Sequence, residues 1–472
     1  MTIAKFKVAV VGAGMTGLAA AFYLQKQWEQ NRGDLHITVI EKNDQPGGKV
    51  QTVLRDGFVI ERGPDSFLAR KPELAKLVLE LGLDQELEGL NPHVGAASIL
   101  HKGKFHPIPK GFVMGIPTQW RPFVTTPLLS LRGKMRAALD LILPGENISE
   151  DMALGEFLER RLGKEAVSHI AEPLLSGIYA GDLYGLSTKA TFPQFLALQQ
   201  KHRSLIMAMR QTRSASVSSQ LSLPPSVKGS AFLHMRNGLS SIIHALTECL
   251  NNHDIRLNAE VTAIYKHGSG YRLLLNQNER LDADAVIVAV PPYAASRMLP
   301  LASDVSKQLL DIKHASVSNA VLAYHRRPNA AFRGTGFLIP RDEGTFMTAC
   351  TFTSDKWPHS APDGSALIRC YVGRAGEEGW TRMSDEEITD RVLQELEQLI
   401  GLRSKPDFSI VTRFERAMPQ YAPGHAERME AIRTQMREDS PGIFLAGAGY
   451  GGAGLPDCVR QGSDAARSAA EY

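Results

Sequence analysis

Cysteine is scarce in this chain of 472 residues: Cys249, Cys350, Cys370 and Cys458 stand far apart and form no C-x-x-C pair. That spacing excludes a zinc ribbon and a disulfide framework, and fits buried thiols in a reducing compartment. Charge of one sign is lacking too. The formal net charge is +3, so no global field speaks for nucleic acid, and recognition of any anion has to be local. No run of about eighteen apolar residues occurs, which argues against a spanning helix. The opening stretch MTIAKFKVAVVGAGMTG breaks its short apolar run with glycine and shows no cleavage-site pattern, so it does not read as a secretion signal. The signatures G-x-S-x-G, H-E-x-x-H and G-x-x-x-x-G-K-[ST] are absent, and the fourteen histidines show no convincing ligand spacing. A cytoplasmic protein without a metal is expected.

What is present begins with FKVAVVGAGMTGLAAAFYLQKQW, a strand, a glycine turn and a helix in succession. Val8 to Val11 suits a buried parallel strand. Gly12 permits the turn, Gly14 lets backbone approach a pyrophosphate, and Gly17 allows close helix–strand packing. A helix from about Met15 to Gln30 then points its free amides and positive dipole end at phosphate. The next strand ends on Glu41, placed to accept ribose hydroxyls, and Gly47, Gly48 and Lys49 follow it as E-x5-G-G-K. Then GFVIERGPDSF brings Glu61 and Gly63 to a second strand end. This extension resembles the FAD-binding domain of glutathione-reductase-like and amine-oxidase-like flavoproteins.

Five glycines (447, 449, 451, 452 and 454) crowd the stretch GIFLAGAGYGGAGLPDC near the other end. A second full dinucleotide unit needs a further strand and acidic residue, and the remaining residues offer neither. The stretch therefore reads as one more strand–loop–helix of the first domain, its helix starting near Pro456; glycines kept for packing alone are the alternative. Residues 258–292 read as a strand, a hairpin partner and a buried strand at Ala285–Val290 halted by Pro291 and Pro292. No independent NADPH unit appears, so the flavin is expected to be reduced by substrate and reoxidised by a diffusible acceptor such as oxygen or a quinone.

The expected fold class is α/β: a discontinuous Rossmann-like FAD-binding domain (1–70, 231–295 and 440–472), a mainly helical domain (71–230) facing substrate or membrane, and a substrate-binding domain (296–439) with an antiparallel sheet. Within the last, five β-like runs between Val317 and Phe414 are interrupted by one helix, DEEITDRVLQELEQLI, which opens on a Ser384/Glu387 capping box and ends at Gly401. Residues 107–127 mix proline, aromatics and sparse charge, compatible with a membrane-surface patch, a channel wall or ordinary core. Residues 212–230, rich in serine and proline, read as a loop.

Several phrases are more distinctive than any glycine loop: ERGPDSFLARKPEL, HPIPKGFVMGIPT, EPLLSGIYAGD, FPQFLALQQKHRSLI and MPQYAPGHAERM. With both glycine ends, the chain resembles bacterial protoporphyrinogen/coproporphyrinogen oxidases over its length, closest to the Gram-positive, coproporphyrin-forming branch. The resemblance implies oxidation of a porphyrinogen by FAD in three two-electron steps, with oxygen becoming hydrogen peroxide, and a place in haem biosynthesis beside a ferrochelatase-type enzyme. It implies flavin contacts at Gly12, Ala13, Gly14, Met15, Thr16, Gly17, Glu41, Lys42, Lys49, Gly63, Pro64, Asp65, Ser66, Val261, Phe414, Gly447, Gly454 and Leu455. Position 414 departs from the tryptophan expected there. The resemblance also makes Tyr371 and Ile178 cavity-lining, core packing being the alternative for both.

Carboxylates on the macrocycle rim want cationic partners. Arg70 and Lys71 follow the flavin segment directly, and Lys201, Arg203, Arg210 and Arg213 form a run without an acidic residue. Either set is a substrate rim or a solvated face. No side chain is assigned as a general base. Rival functions are an amine oxidase or carotenoid desaturase, with Tyr450 as one wall of an aromatic cage, or a non-catalytic flavin or porphyrin binder.

Overall fold

The computed structural model describes residues 5–28, 34–145, 150–214, 223–276, 278–299, 303–332 and 334–472. The strand Phe6–Val11 is almost wholly apolar and its second half is buried on both faces. Such a strand belongs inside a parallel sheet covered on two sides. Five parallel strands run in the spatial order 254–256, 35–40, 6–11, 285–288 and 443–445. The strand Ile443–Leu445 thus joins the sheet that Phe6 begins, and the glycine-rich stretch after it returns to the first glycine loop.

Helices Met15–Trp28 and Leu455–Glu471 pack against each other on one face of this sheet. Their contact is close because a Cβ on Gly462 would sit 2.5 Å from the Thr16 carbonyl oxygen. Val8, Val10, Leu18, Leu24, Ile287, Val459 and Ala466 share the resulting core. On the other face lies a meander of three antiparallel strands, 261–267, 270–275 and 279–283, which bond to one another and not to the parallel sheet. The meander packs on that sheet through Ile264 and Leu273 against Val11 and Val286.

A seven-stranded sheet runs in the order 408–419, 314–324, 366–372, 347–352, 336–338, 98–101 and 104–107. All five β-like runs of residues 317–414 are in it. The last two strands correct the mainly helical expectation for residues 71–230. Ser98–His101 pairs parallel to Gly336–Leu338, and Lys104–Pro107 folds back on it as a hairpin. Apart from the short strands Leu87–Gly89, Phe112–Val113 and Ile116–Pro117, the rest of the described region is helices and loops, and it has its own core, including Phe123, Leu128, Phe157, Ile170 and Phe195. Helix Asp385–Ile400 carries the expected capping box, and Gly401 ends it in the left-handed region at φ +69°. Of the expected loop 212–230, residues 215–222 lie outside the described residues, and Pro225–Val227 form a short 3-10 turn. No described helix is long and apolar enough to cross a membrane, and no group of acidic, histidine or cysteine residues among the described residues is arranged to hold a metal.

Burial pushes the imidazoles of His314, His359 and His425 down to about 4, against an unfolded value of about 6.5. Above the unfolded value these rings are neutral in both states and cost nothing. As pH falls between the two values the unfolded chain takes up protons that the folded chain refuses, so stability is lost until the folded values are passed. The urea midpoint read by tryptophan fluorescence is expected to fall from pH 7.5 to pH 5, and His425→Phe to shrink that fall.

Candidate functional site

The first glycine turn follows from steric fit. Gly12 has φ +102°, and a Cβ there would lie 2.8 Å from the Ala289 carbonyl. A Cβ on Gly17 would overlap the Gly12 carbonyl, so the helix seats directly on the turn. Gly14 differs from both. Nothing lies within 4 Å of its Cβ position, which leaves an opening at the N-terminus of helix Met15–Trp28. The first amides of a helix have no intrahelical acceptor, so this opening faces donors and the positive end of the helix dipole.

Glu41 is buried beside that opening. One carboxylate oxygen accepts from the Ala13 amide at 2.9 Å, and the other from the Asn43 amide and side chain at 3.0 and 2.6 Å. The Glu41 carbonyl receives the Ala259 amide, which brings the start of the Val261–His267 strand alongside. The second glycine pair lies against the first: the Gly47 amide donates to the Ala13 carbonyl at 2.8 Å, and residues 14 and 47 form an isolated parallel bridge.

From there the chain turns towards the seven-stranded sheet. A Cβ on Gly63 would collide with the Lys49 carbonyl and come within 3.7 Å of the Phe414 ring. Lys49 Nζ donates to the Ala417 carbonyl. Its ammonium is ringed by protein, and the resulting desolvation lowers its pKa, yet its surface stays accessible. A side chain both crowded by neighbours and reachable lies along a cleft.

The sheet face opposite residues 62–66 carries Asn319, Arg369, Tyr371, Thr412 and Phe414, which the register places on one side. Asn319 Nδ2 donates to the Arg62 carbonyl at 2.7 Å, and Arg62 Nε to Thr412 Oγ1 at 3.1 Å. Arg369 donates to the Gly63 carbonyl, and its guanidinium carbon lies 5.0 Å from the centre of the Tyr371 ring. Asp65 is paired to Lys356 at 2.9 Å and accepts Ser66 Oγ at 2.8 Å. Although enclosure raises the Asp65 pKa, Lys356 and Arg369 together outweigh it and hold the carboxyl ionised. Burial, the largest influence on Tyr371, pushes its phenol upward.

The glycine stretch near the other end closes the cleft. Gly447 has φ +129°, Gly454 is exposed just ahead of helix Leu455–Glu471, and Pro456 occupies the first turn of that helix. Packing accounts for some of these glycines: a Cβ on Gly449 would strike Pro292. From the first turn Asp457 reaches Lys71 Nζ at 2.6 Å.

A family model for flavin containing amine oxidoreductases matches residues 15–470. The chain belongs to that family. It is 42% identical to a coproporphyrinogen III oxidase of Bacillus subtilis, over 100% of this chain and 99% of the relative. It is 36% identical to a coproporphyrinogen III oxidase of Staphylococcus aureus, over 97% and 98%. A crystal structure described as a candidate protoporphyrinogen oxidase from Exiguobacterium superposes with a TM-score of 0.88, at 38% identity and 99% coverage of both chains. A putrescine oxidase structure, at 16% identity and a TM-score of 0.69, shares the fold. The protein is a flavin-dependent oxidoreductase of α/β architecture.

The residues fit a flavin, since the Gly14 opening, the accessible Lys49 and the exposed Gly454 lie on segments that the contacts above tie together. Met15 and Thr16 form the first helical turn and are buried, Val261 is buried at a strand start, and Pro64, Phe414 and Leu455 are part-exposed; Lys42 is exposed. Ile178 stands 48% exposed on helix Glu172–Tyr179, beside the buried Tyr179. Arg70 is exposed and donates to Met114 Sδ at 3.7 Å.

Two expectations meet corrections. The Arg203 guanidinium donates to the carbonyls of Ile142 and Leu143, so it stitches two helical segments instead of waiting for a ligand. Tyr450 is 1% exposed with its hydroxyl on the Val290 carbonyl at 2.9 Å, which removes it as an aromatic cage wall. The side chain of Arg213 lies outside the described residues. The sequence reading missed Asn319, Lys356, Arg369 and Asp457; a lone arginine in the apolar run ALIRCYV was the available signal.

Because the Gly14 Cβ position is open, Gly14→Leu is expected to fold with the melting temperature of flavin-stripped wild-type protein and to be purified with less than about a tenth of the wild-type flavin. The ratio of absorbance near 450 nm to that at 280 nm, read beside a thermal melt, checks both halves.

Proposed function

We propose that this chain is an FAD-dependent coproporphyrinogen III oxidase that uses oxygen, releases hydrogen peroxide and serves haem biosynthesis in the cytoplasm. The observation that carries the proposal is identity along the whole length to relatives of that name. FAD, when bound, supplies the hydride acceptor. The chain's share is to hold a macrocycle against the cleft and keep water out. Glu41 and the first helix would hold the adenosine and pyrophosphate half; Lys49, residues 63–66 and the sheet face would hold the ring half. Arg70, Lys71, Tyr371 and Ile178 are the proposed substrate rim. An amine oxidase is disfavoured by the buried Tyr450.

Lys71 does not stand free, because Asp457 neutralises it. A substrate carboxylate therefore competes with Asp457 for the ammonium. Lys71→Ala is expected to raise the KM for coproporphyrinogen about three- to tenfold with FAD retained, and an unchanged KM removes Lys71 from the rim. Function as a whole is tested by steady-state oxidation of coproporphyrinogen III beside protoporphyrinogen IX, with peroxide measured. Faster turnover of the former with three peroxides per porphyrin is expected. Anaerobic porphyrinogen that leaves the flavin unbleached shows a binder, not an oxidase.

A peripheral membrane contact is proposed on a separate observation. Leu131, Met135, Leu139 and Ile142 form an exposed ridge at 73, 56, 42 and 64% exposure, along helix Leu131–Ala138 and the turn after it. Arg132 and Lys134 flank it, and the one acidic residue between 131 and 142, Asp140, is buried against Arg161 at 2.6 Å. An apolar ridge with basic flanks suits an anionic bilayer surface. Sedimentation with phosphatidylglycerol vesicles is expected to carry the protein down, and Leu131→Glu with Met135→Glu to weaken that binding about tenfold or more. Equal sedimentation of the double variant removes the ridge from the contact. The porphyrin product would pass to a metal-inserting enzyme of the ferrochelatase type.

A further inference from the structure

Three arginines among the described residues are buried: Arg161, Arg369 and Arg374, at 1, 4 and 5% exposure. Two of them have a carboxylate of their own, Arg161 with Asp140 at 2.6 Å and Arg374 with Glu377 at 2.7 Å. Arg369 has none within ion-pairing distance among the described residues. Its nearest carboxylate, Asp65, is engaged by Lys356 at one oxygen and by Ser66 at the other. One guanidinium nitrogen of Arg369 serves the Gly63 carbonyl, while Nε and Nη1 have no partner. Beside it, Asn319 Oδ1 is also unpartnered, although Asn319 Nδ2 shares the Arg62 carbonyl with Arg369.

An enclosed cation that must share one carboxylate, Asp65, with a second cation is expensive unless a ligand supplies further negative charge. Asp65, Lys356 and Arg369 sum to one positive charge at the place where the flavin segment meets the sheet. The register puts Arg369 on the same face as Tyr371, two residues along the strand Ala366–Val372. Arginine in such a position takes up carboxylate oxygen better than lysine, because it stays charged when desolvated. We infer that Arg369 anchors a carboxylate of the bound tetrapyrrole, a role Lys71 cannot fill alone while Asp457 holds it. The inference rests on the porphyrinogen reading above.

The test uses the FAD-loaded full chain and two probes, coproporphyrin III and its uncharged tetramethyl ester, each titrated by fluorescence quenching. Wild-type protein is expected to bind the acid more tightly than the ester. Arg369→Gln is expected to weaken the acid about tenfold and the ester less than threefold, with Arg369→Lys between. Comparison of the two probes on one variant cancels general damage to the cleft, and flavin content reports folding. Equal weakening of acid and ester overturns the inference. So does an unchanged affinity for the acid accompanied by a lowered flavin midpoint potential, which would assign the charge to the cofactor. Wild-type protein that binds neither probe and oxidises no porphyrinogen overturns the functional reading itself.

Discussion

The site depends on backbone touching backbone without side chains between. Residues 13 and 47 share a hydrogen bond and the Lys49 carbonyl occupies the space a Gly63 side chain would need, while the Lys49 side chain reaches on to the carbonyl of Ala417. Four stretches, at residues 13, 47–49, 63 and 417, are thereby drawn together. Only glycine fits at position 63, because a Cβ there would overlap the Lys49 carbonyl. The seven-stranded sheet meets this segment through Ala417 and Phe414, so a ligand lying along residues 12–17, 47–49 and 63–66 would touch both the first glycine turn and the segment that this sheet holds.

Electrostatics then divides the cleft. At the first glycine turn the charged side chain is acidic and engaged, with the Glu41 carboxylate already accepting three donors. At the sheet face the balance is cationic, with Lys49, Lys356 and Arg369 against Asp65. The two halves offer different chemistry, amides and dipole in one and fixed side-chain charge in the other, which on the proposed reading would suit a sugar–phosphate chain and a flat redox ring respectively.

Much of the fold was legible in the sequence because the signals were local. VAVVGAGMTG is strand, turn and helix within ten residues, and Gly12 and Gly17 have the steric reasons that their spacing suggests. The five β-like runs of residues 317–414 and the capped helix 385–400 are equally local. Strands 98–101 and 104–107 were missed because four residues set no clear period, and their sheet partner, 336–338, lies far along the chain. In the site, residue type was legible and pairing was not. Arg203 sits in a basic run that invites a ligand, yet its acceptors are two carbonyls some sixty residues earlier. Lys71 looks free until Asp457 arrives from the other end of the chain.

The parallel sheet takes its edge strand from residues 443–445, and the helix that seals its face from residues 455–471. During synthesis the strand 285–288 must therefore wait with one side unpaired while about 150 further residues leave the ribosome. Such a bare, apolar rim invites pairing with other nascent chains. Cofactor capture becomes a late event in the life of the polypeptide, and truncated products should be yellow in no preparation, however well their first glycine turn is formed.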